Sequence, residues 1–282
     1  MKRFVCFLLA MAMMMTAAFA LADEINVISR EDGSGTRGAF IELFGIEQKD
    51  ANGNKVDYTT DECDITNSTS VMMTSVSGNE CAIGYISLGS LNATVKALTI
   101  DGAEASVENI KNGSYKVARP FNIATLTNVS DATQDFISFI MSAEGQSVIE
   151  ANGYIAVDGE APAFEGGKVS GKIVIAGSSS VTPVMEKLKE AYEAINPNVE
   201  IEVQQSDSSS GMTSTRDGIC DIGMASRDLK DSEIEAGLNP MTISMDGIAV
   251  IVSNDNPVNG LTSQEVRDIY MGEITDWSEV DE

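Results

Sequence analysis

Three segments of the chain share one design: a strand-like apolar run, then Ser, Gly and Thr residues, then the start of a helical pattern. The runs and the loops after them are Ile25–Ile28 with Asp32–Thr36, Lys172–Ala176 with Gly177–Thr182, and Val199–Gln205 with Asp207–Gly211. Strands that alternate with helices need crossover connections, which cover the faces of a parallel or mixed sheet. The chain is therefore predicted to adopt an α/β fold.

Further elements follow from apolar periodicity. Residues 82–87, 121–124 and 243–252 are predicted strands, and an amphipathic pattern predicts one helix over residues 130–150. Residues 153–171 are rich in Gly, Pro and Ala without a clear period, which predicts a linker.

The three loops have the chemistry of small-oxyanion sites. Backbone N–H groups at a helix N-terminus lack partners, and the peptide dipoles place partial positive charge there. Glycine allows a close backbone approach, and Ser or Thr hydroxyls add donors. A single loop of this kind is usually an ordinary helix cap. Three of them in one chain, with Arg30 and Arg227 near strand ends, favour an anion-binding function.

The composition excludes several other classes of function. The 282 residues include no histidine, which removes Ser-His-Asp catalysis and His-ligated zinc. A net charge of −25 argues against a nucleic-acid partner, because phosphate backbones attract clustered Lys and Arg. No Walker or dinucleotide glycine motif and no G-x-S-x-G elbow is present. We expect no cofactor, no metal and no enzymatic activity, and a secreted phosphoesterase that uses serine or carboxylate stays as an alternative.

Residues 1–22 have the pattern of an export signal. Lys2 and Arg3 precede an apolar stretch, and Ala20-Leu21-Ala22 resembles a cleavage site. Cys6 lies too early to be a lipidation site at that point. We therefore expect an exported protein, periplasmic or at the cell surface, without an evident lipid anchor.

Several segments together resemble the phosphate-binding proteins of phosphate ABC transporters. They are Ser29–Thr36 (SREDGSGT), Ala82–Ile86 (AIGYI), Gly177–Val181 (GSSSV), Ser208–Gly211 (SSSG) and Asp221–Arg227 (DIGMASR). The resemblance covers nearly all of the chain after residue 22. It implies a type II periplasmic-binding-protein fold, in which two α/β lobes joined by crossover strands close over the ligand. It also implies a monomer that binds inorganic phosphate and delivers it to the membrane permease of an ABC importer.

The order of the segments is reversed relative to that family. Residues 23–161 resemble the family's second half, and residues 171–282 resemble its first half. We therefore predict a circular permutation with residues 153–171 as the new joint; a gene fragment read out of phase is the alternative. One lobe would comprise residues 23–118 plus 247–282, and the other would comprise residues 119–246.

The resemblance also implies which residues contact the ligand. Those expected to face phosphate are Arg30, Ser34, Gly35, Thr36, Ser179, Ser180, Val181 through its backbone N–H, Ser208, Ser226 and Arg227. Asp32 is expected to orient Arg30. The chain departs from the family at Ser226-Arg227, where well-studied members carry an aspartate that accepts the ligand's proton. Selectivity against sulfate, molybdate or another oxyanion therefore stays open.

Overall fold

The computed structural model describes residues 24–280, and within them the chain forms fourteen strands and nine α-helices. The strands are β1 Asn26–Arg30, β2 Glu47–Lys49, β3 Lys55–Asp57, β4 Asp64–Thr66, β5 Ala82–Ser87, β6 Lys96–Ala97, β7 Thr99–Ile100, β8 Ala118–Thr125, β9 Ile155–Ala156, β10 Gly171–Ser178, β11 Val199–Ser206, β12 Ile222–Ala225, β13 Asn239–Val252 and β14 Gly260–Leu261. The helices are α1 Gly35–Leu43, α2 Thr69–Ser77, α3 Val107–Lys111, α4 Asp131–Ile140, α5 Ala143–Ala151, α6 Thr182–Ile195, α7 Ser208–Arg216, α8 Asp231–Glu235 and α9 Ser263–Met271.

Short polar side chains determine where most of these helices begin. In each case a side-chain oxygen accepts a hydrogen bond from a backbone N–H of the first turn, which satisfies one of the donors left unpaired there. The capping residues are Ser34, Ser68, Ser106, Ser130, Ser142, Asp207 and Thr262.

One ten-stranded mixed sheet runs through the molecule. The main path is β11-β10-β12-β8-β13-β5-β1-β4, and β6 and β9 pair with β13 beside that path. Strand β13 pairs with β8 from Asn239 to Gly247 and with β5 from Ile248 to Val252. The long strand β13 therefore connects the two halves of the sheet, and β8 lies beside it at the centre.

Two large hydrophobic clusters pack against this sheet. The first includes Phe136, Ile175, Tyr192 and Ile243. The second includes Phe40, Tyr85, Val250 and Tyr270. All members of the first cluster lie within residues 119–246, and all members of the second lie outside that range. The exact division into lobes stays a prediction.

Two predicted elements differ from the structure. The helix over residues 130–150 is two helices, because Ser142 accepts a hydrogen bond from Gly145 N and so starts a new helix after Met141. The predicted linker, residues 153–171, is partly ordered secondary structure: β9 pairs with β13, and the Tyr154 side chain is buried against Phe121. A sequence window cannot show these contacts, because their partners are distant along the chain.

Within residues 24–280, none of the helices combines the length and the apolar character needed to span a membrane. The predicted export signal, residues 1–22, lies outside the described residues.

Candidate oxyanion site

The loops that follow β1, β10, β11 and β12 meet at one place in the structure. β10 is parallel to both β11 and β12, so the carboxyl ends of these strands lie at the same edge of the sheet. The loop after β1 reaches this edge, where Ser209 N donates a hydrogen bond to Gly33 O at 3.2 Å. Helices α1, α6 and α7 all begin here, which directs three helix N-termini toward one small region.

Six buried hydroxyl groups form the centre of this region. We call them the hydroxyl cluster: Thr36, Thr69, Ser178, Ser179, Ser180 and Ser226. Thr36 Oγ1 lies 2.8 Å from Ser180 Oγ and 3.2 Å from Ser226 Oγ. Thr69 Oγ1 lies 3.4 Å from Ser179 Oγ and 3.3 Å from Ser180 Oγ. Ser178 Oγ donates to Ser226 Oγ at 3.0 Å. Since each hydroxyl can donate or accept, the cluster can turn several donors toward the oxygens of one small anion.

Arg30 supplies positive charge at the edge of the hydroxyl cluster. Its Nη2 donates to Ser179 Oγ at 3.1 Å, and the residue is 2% exposed. Its Nε and Nη2 also donate to the two carboxylate oxygens of Glu31, both at 2.7 Å. This contact uses the side of the guanidinium, so Nη1 is not engaged by Glu31. Arg30 thus keeps donor capacity for an anion.

The expectation that Asp32 orients Arg30 is wrong. The Asp32 side chain is 96% exposed and pairs with Arg37 Nη1 at 2.7 Å. Asp32 lies in the turn after β1 and is directed outward, whereas the neighbouring Glu31 reaches Arg30. The carboxylate that positions the guanidinium is therefore one residue earlier than predicted.

Arg227 is not brought to the hydroxyl cluster. Its Nη1 donates to Asp228 O at 2.9 Å and to Glu233 Oε2 at 2.8 Å. Its Nη2 donates to Ser209 Oγ at 3.2 Å and to Glu233 Oε1 at 2.7 Å. These bonds occupy all four terminal N–H groups. The side chain that reaches the hydroxyl cluster is that of the preceding residue, Ser226.

The other predicted residues lie around the cluster in several roles. Ser34 Oγ accepts from Arg37 N at 3.3 Å and caps α1. The Val181 side chain is part of the hydrophobic core, and its N–H donates to Ser178 O at 3.1 Å. Ser208 Oγ accepts from Ser226 N at 3.2 Å. A Cβ atom at Gly35 would lie only 2.4 Å from Ser208 Oγ, so glycine permits the close approach of these two loops.

Two members of this region were missed by the sequence analysis. Thr69 follows β4 and opens α2, so the Asp64–Thr69 segment repeats the strand–loop–helix design that identified the other loops. The sequence thus contains a pattern that could have identified Thr69. Arg119 lies inside strand β8 with no motif around it, and its Nη2 donates to Thr36 Oγ1 at 3.3 Å. The carboxylate that pairs with it, Asp246, is 127 residues away in sequence, so no local pattern marks it.

Among the described residues, no three Cys, Asp or Glu side chains are arranged so that they could hold a metal ion. The arrangement instead combines hydroxyls, helix N-termini and guanidinium groups, which is the chemistry that recognises small oxyanions.

Comparison with known proteins agrees with this class of site. A family model described as a PBP superfamily domain matches residues 18–144 and 162–282. The fold is the type II periplasmic-binding-protein fold. A crystal structure of a phosphate ABC transporter phosphate-binding protein from Streptococcus pneumoniae TIGR4 has 45% sequence identity and a TM-score of 0.71, and the match covers 92% of this chain and 100% of that chain.

Relatives in sequence indicate the family within the PBP superfamily to which the chain belongs. The phosphate-binding protein PstS 2 of Streptococcus agalactiae serotype V is 58% identical over 257 residues, which cover 91% of this chain and 87% of the relative. The phosphate-binding protein PstS of Pseudomonas aeruginosa PAO1 is 32% identical over only 128 residues, or 43% of this chain and 40% of the relative. The chain belongs to the family of phosphate-binding proteins within the PBP superfamily.

Proposed function

We propose that this protein binds inorganic phosphate at the hydroxyl cluster and delivers it to the membrane permease of a phosphate ABC importer. The observation that carries the proposal is the position of Thr36, whose hydroxyl contacts Ser180, Ser226 and Arg119 at once. An oxyanion at this point is within reach of loops from both halves of the sheet. The names of the relatives support phosphate as that oxyanion.

Calorimetry on protein freed of bound phosphate tests this proposal. The protein is unfolded in guanidinium chloride, dialysed and refolded, and phosphate is then titrated into it. We expect saturable 1:1 binding, together with a rise in the thermal midpoint as phosphate is added. The absence of both signals up to millimolar phosphate would contradict the proposal.

The preference among oxyanions is a separate question with its own observation. Ser226-Arg227 stands where the resemblance places an acceptor carboxylate, and the Arg227 side chain is bonded to Glu233 rather than turned toward the cluster. Since a buried acceptor facing a fully ionised anion is costly, its absence removes one barrier to sulfate. We infer that phosphate binds most tightly and that sulfate or molybdate competes measurably. Competition titrations with these anions decide between the three ligands.

We further infer that the protein acts outside the cytoplasm as a monomer, without nucleic acid and without catalysis. The export pattern in residues 1–22 supports the location, and the absence of histidine from the sequence supports binding without chemistry. Size-exclusion chromatography with light scattering tests the monomer. Turnover of a chromogenic phosphate ester by the pure protein would contradict the non-enzymatic assignment.

The circular permutation belongs to the same proposal. The first described strand lies beside the end of the chain, since Ile25 N donates to Thr275 O at 2.8 Å and Glu24 forms a β-bridge with Asp276. A permutation requires such proximity. A chain reopened near residue 162, with residues 280 and 24 joined by a short linker, should fold and bind phosphate as the original does.

A further inference from the structure

Arg119 and Asp246 form an ion pair at the centre of the sheet. They are opposite residues in the antiparallel pairing of β8 with β13. Arg119 Nη1 donates to Asp246 Oδ2 at 2.7 Å and to Gly247 O at 2.6 Å. Both side chains are almost completely buried, with 3% and 0% exposure. Strand pairing thus fixes the two side chains relative to each other.

Further bonds hold Asp246 in place. Its Oδ2 accepts from Ser87 Oγ at 2.6 Å, and its Oδ1 accepts from Gly89 N at 3.1 Å. The carboxylate therefore has donors on both oxygens. Burial raises the pKa of this carboxyl, while Arg119 and the bonds from Ser87 and Gly89 oppose that rise. The carboxylate also holds Nη1 of Arg119 in place.

The remaining nitrogens of Arg119 are less occupied. Nη2 donates to Thr36 Oγ1 at 3.3 Å, which is a long contact for a charged donor. Nε is buried and has no hydrogen-bond partner among the described residues. Arg119 therefore presents donor capacity beside the hydroxyl that joins the most partners in the cluster.

A contribution to the stability of the fold does not by itself account for a buried ion pair. Desolvation of two buried charges offsets most of their attraction, and an apolar pair of similar size is often as stable. A buried guanidinium in contact with Thr36 of the hydroxyl cluster has a clear use if an anion binds there. Arg227, the second arginine that the sequence analysis selected, has no terminal N–H left for that purpose.

We propose that Arg119 is the second guanidinium that contacts the bound oxyanion, since Arg30 bonds Ser179 and Arg119 bonds Thr36 in the same hydroxyl cluster. Each of the two arginines is paired with one carboxylate, Glu31 or Asp246, so the anion meets directed donors rather than a large net positive charge. This inference rests on the proposed phosphate-binding function and adds a ligand residue from β8, which lies beside β13 at the centre of the sheet.

A pair of charge-balanced double variants tests the inference. Arg119→Met with Asp246→Asn removes one positive and one negative charge at the central pair. Arg227→Met with Glu233→Gln removes the same charges at the pair outside the cluster. By calorimetry we expect the first variant to bind phosphate at least about 30-fold more weakly, the range typical for loss of a buried charge-assisted contact, and the second to stay within about threefold.

The outcomes separate this inference from the proposed function. If the unaltered protein does not bind phosphate, both the proposed function and this inference are overturned. If the unaltered protein binds and the Arg119→Met/Asp246→Asn variant binds within threefold of it, the inference alone is overturned, even where the thermal midpoint falls. A weakening of the same size in the Arg227→Met/Glu233→Gln control would also overturn it.

A conservative variant covers the case in which the central double variant does not fold. Arg119→Lys keeps the charge beside Asp246, but one ammonium group cannot bond Asp246 and Gly247 O and also reach Thr36. We expect a cooperative thermal transition with phosphate affinity lowered about tenfold or more. Unchanged affinity in this variant would overturn the inference.

Discussion

The dipeptide Ser-Arg occurs at the end of β1 and directly after β12, and the two copies place opposite side chains in the site. At the end of β1, Arg30 reaches Ser179 in the hydroxyl cluster, while Ser29 turns to Tyr85 and lies 2.9 Å from its hydroxyl. After β12, Ser226 enters the cluster, while Arg227 turns outward to Glu233. The arginine thus contacts the hydroxyl cluster in one place and forms an ion pair beside it in the other.

The position of each dipeptide relative to its strand explains the difference. Successive side chains along a strand point to opposite faces, so only one of Ser29 and Arg30 can face the cluster at the end of β1. Ser226 and Arg227 instead lie in the bend after β12, where the loop sets the directions of their side chains. A motif match therefore identifies the neighbourhood of a site but not the side chain that contacts the ligand.

The two arginines also differ in how carboxylates bind them. Glu31 contacts Arg30 along the Nε–Nη2 side, whereas Glu233 contacts Arg227 across its two terminal nitrogens. The first geometry leaves Nη1 of Arg30 free of its carboxylate, whereas the second engages both terminal nitrogens of Arg227. Three predictions test whether this contrast has functional consequences.

The largest effect is expected for Arg30→Gln. This change removes the charge at the edge of the cluster, and we expect phosphate affinity to fall by about 100-fold or more, because charge-assisted bonds to a buried anion are among the strongest. Calorimetry measures the loss. The matched change Arg227→Gln should alter affinity by less than about threefold. Equal losses in both variants would remove the contrast between the two arginines.

A smaller effect is expected for Gly35→Ala. The new methyl group would overlap Ser208 Oγ and lie 2.8 Å from Ser226 Oγ, so these hydroxyls or the loops that carry them must shift. We expect affinity to fall about tenfold, in line with the cost of overpacking a tight contact.

Gly38→Ala is the control for that change, since its methyl group would lie 3.8 Å from Arg227 Cδ, an ordinary contact. Alanine is also the better helix former, so we expect unchanged affinity and a thermal midpoint raised by about 2 °C. Similar affinities for the Gly35→Ala and Gly38→Ala variants would show that close approach of the two loops is not needed.

The smallest effect is expected for Glu233→Gln, and it should appear in stability alone. Burial raises the pKa of the Glu233 carboxyl, but hydrogen bonds from Arg227 and from Lys230 N outweigh burial and lower it overall. A lowered pKa stabilises the fold above the unfolded-state value of about 4.3, and this contribution disappears as the pH falls through the folded-state value.

The Glu233→Gln variant should therefore be about 1 kcal/mol less stable than the unaltered protein at pH 7, and the difference should shrink as the pH falls below about 4.3. Denaturant titrations at pH 7 and at a series of lower pH values measure this. A stability difference that does not shrink with falling pH, or phosphate affinity that changes more than threefold, would mean that the pair does more than hold Arg227 outside the cluster.

Part of the site was predictable because its signals are local. Thr36 and Ser180 belong to loops in which a strand, small polar residues and a helix follow each other within a few residues. Thr69 has the same signal and could have been found with it. Arg119 has none, because its partners are Thr36 and Asp246, which lie 83 and 127 residues away along the chain.

The chain's own residues determine its class: the alternation of strands and helices, the polar loops at helix N-termini and the absence of histidine together specify an α/β oxyanion binder. The three-dimensional packing determines which groups meet the anion. Asp32 and Glu31 are neighbours with the same charge, yet one faces solvent and the other holds Arg30. Such choices depend on strand register and on contacts between distant segments, and both arise only when the sheet assembles.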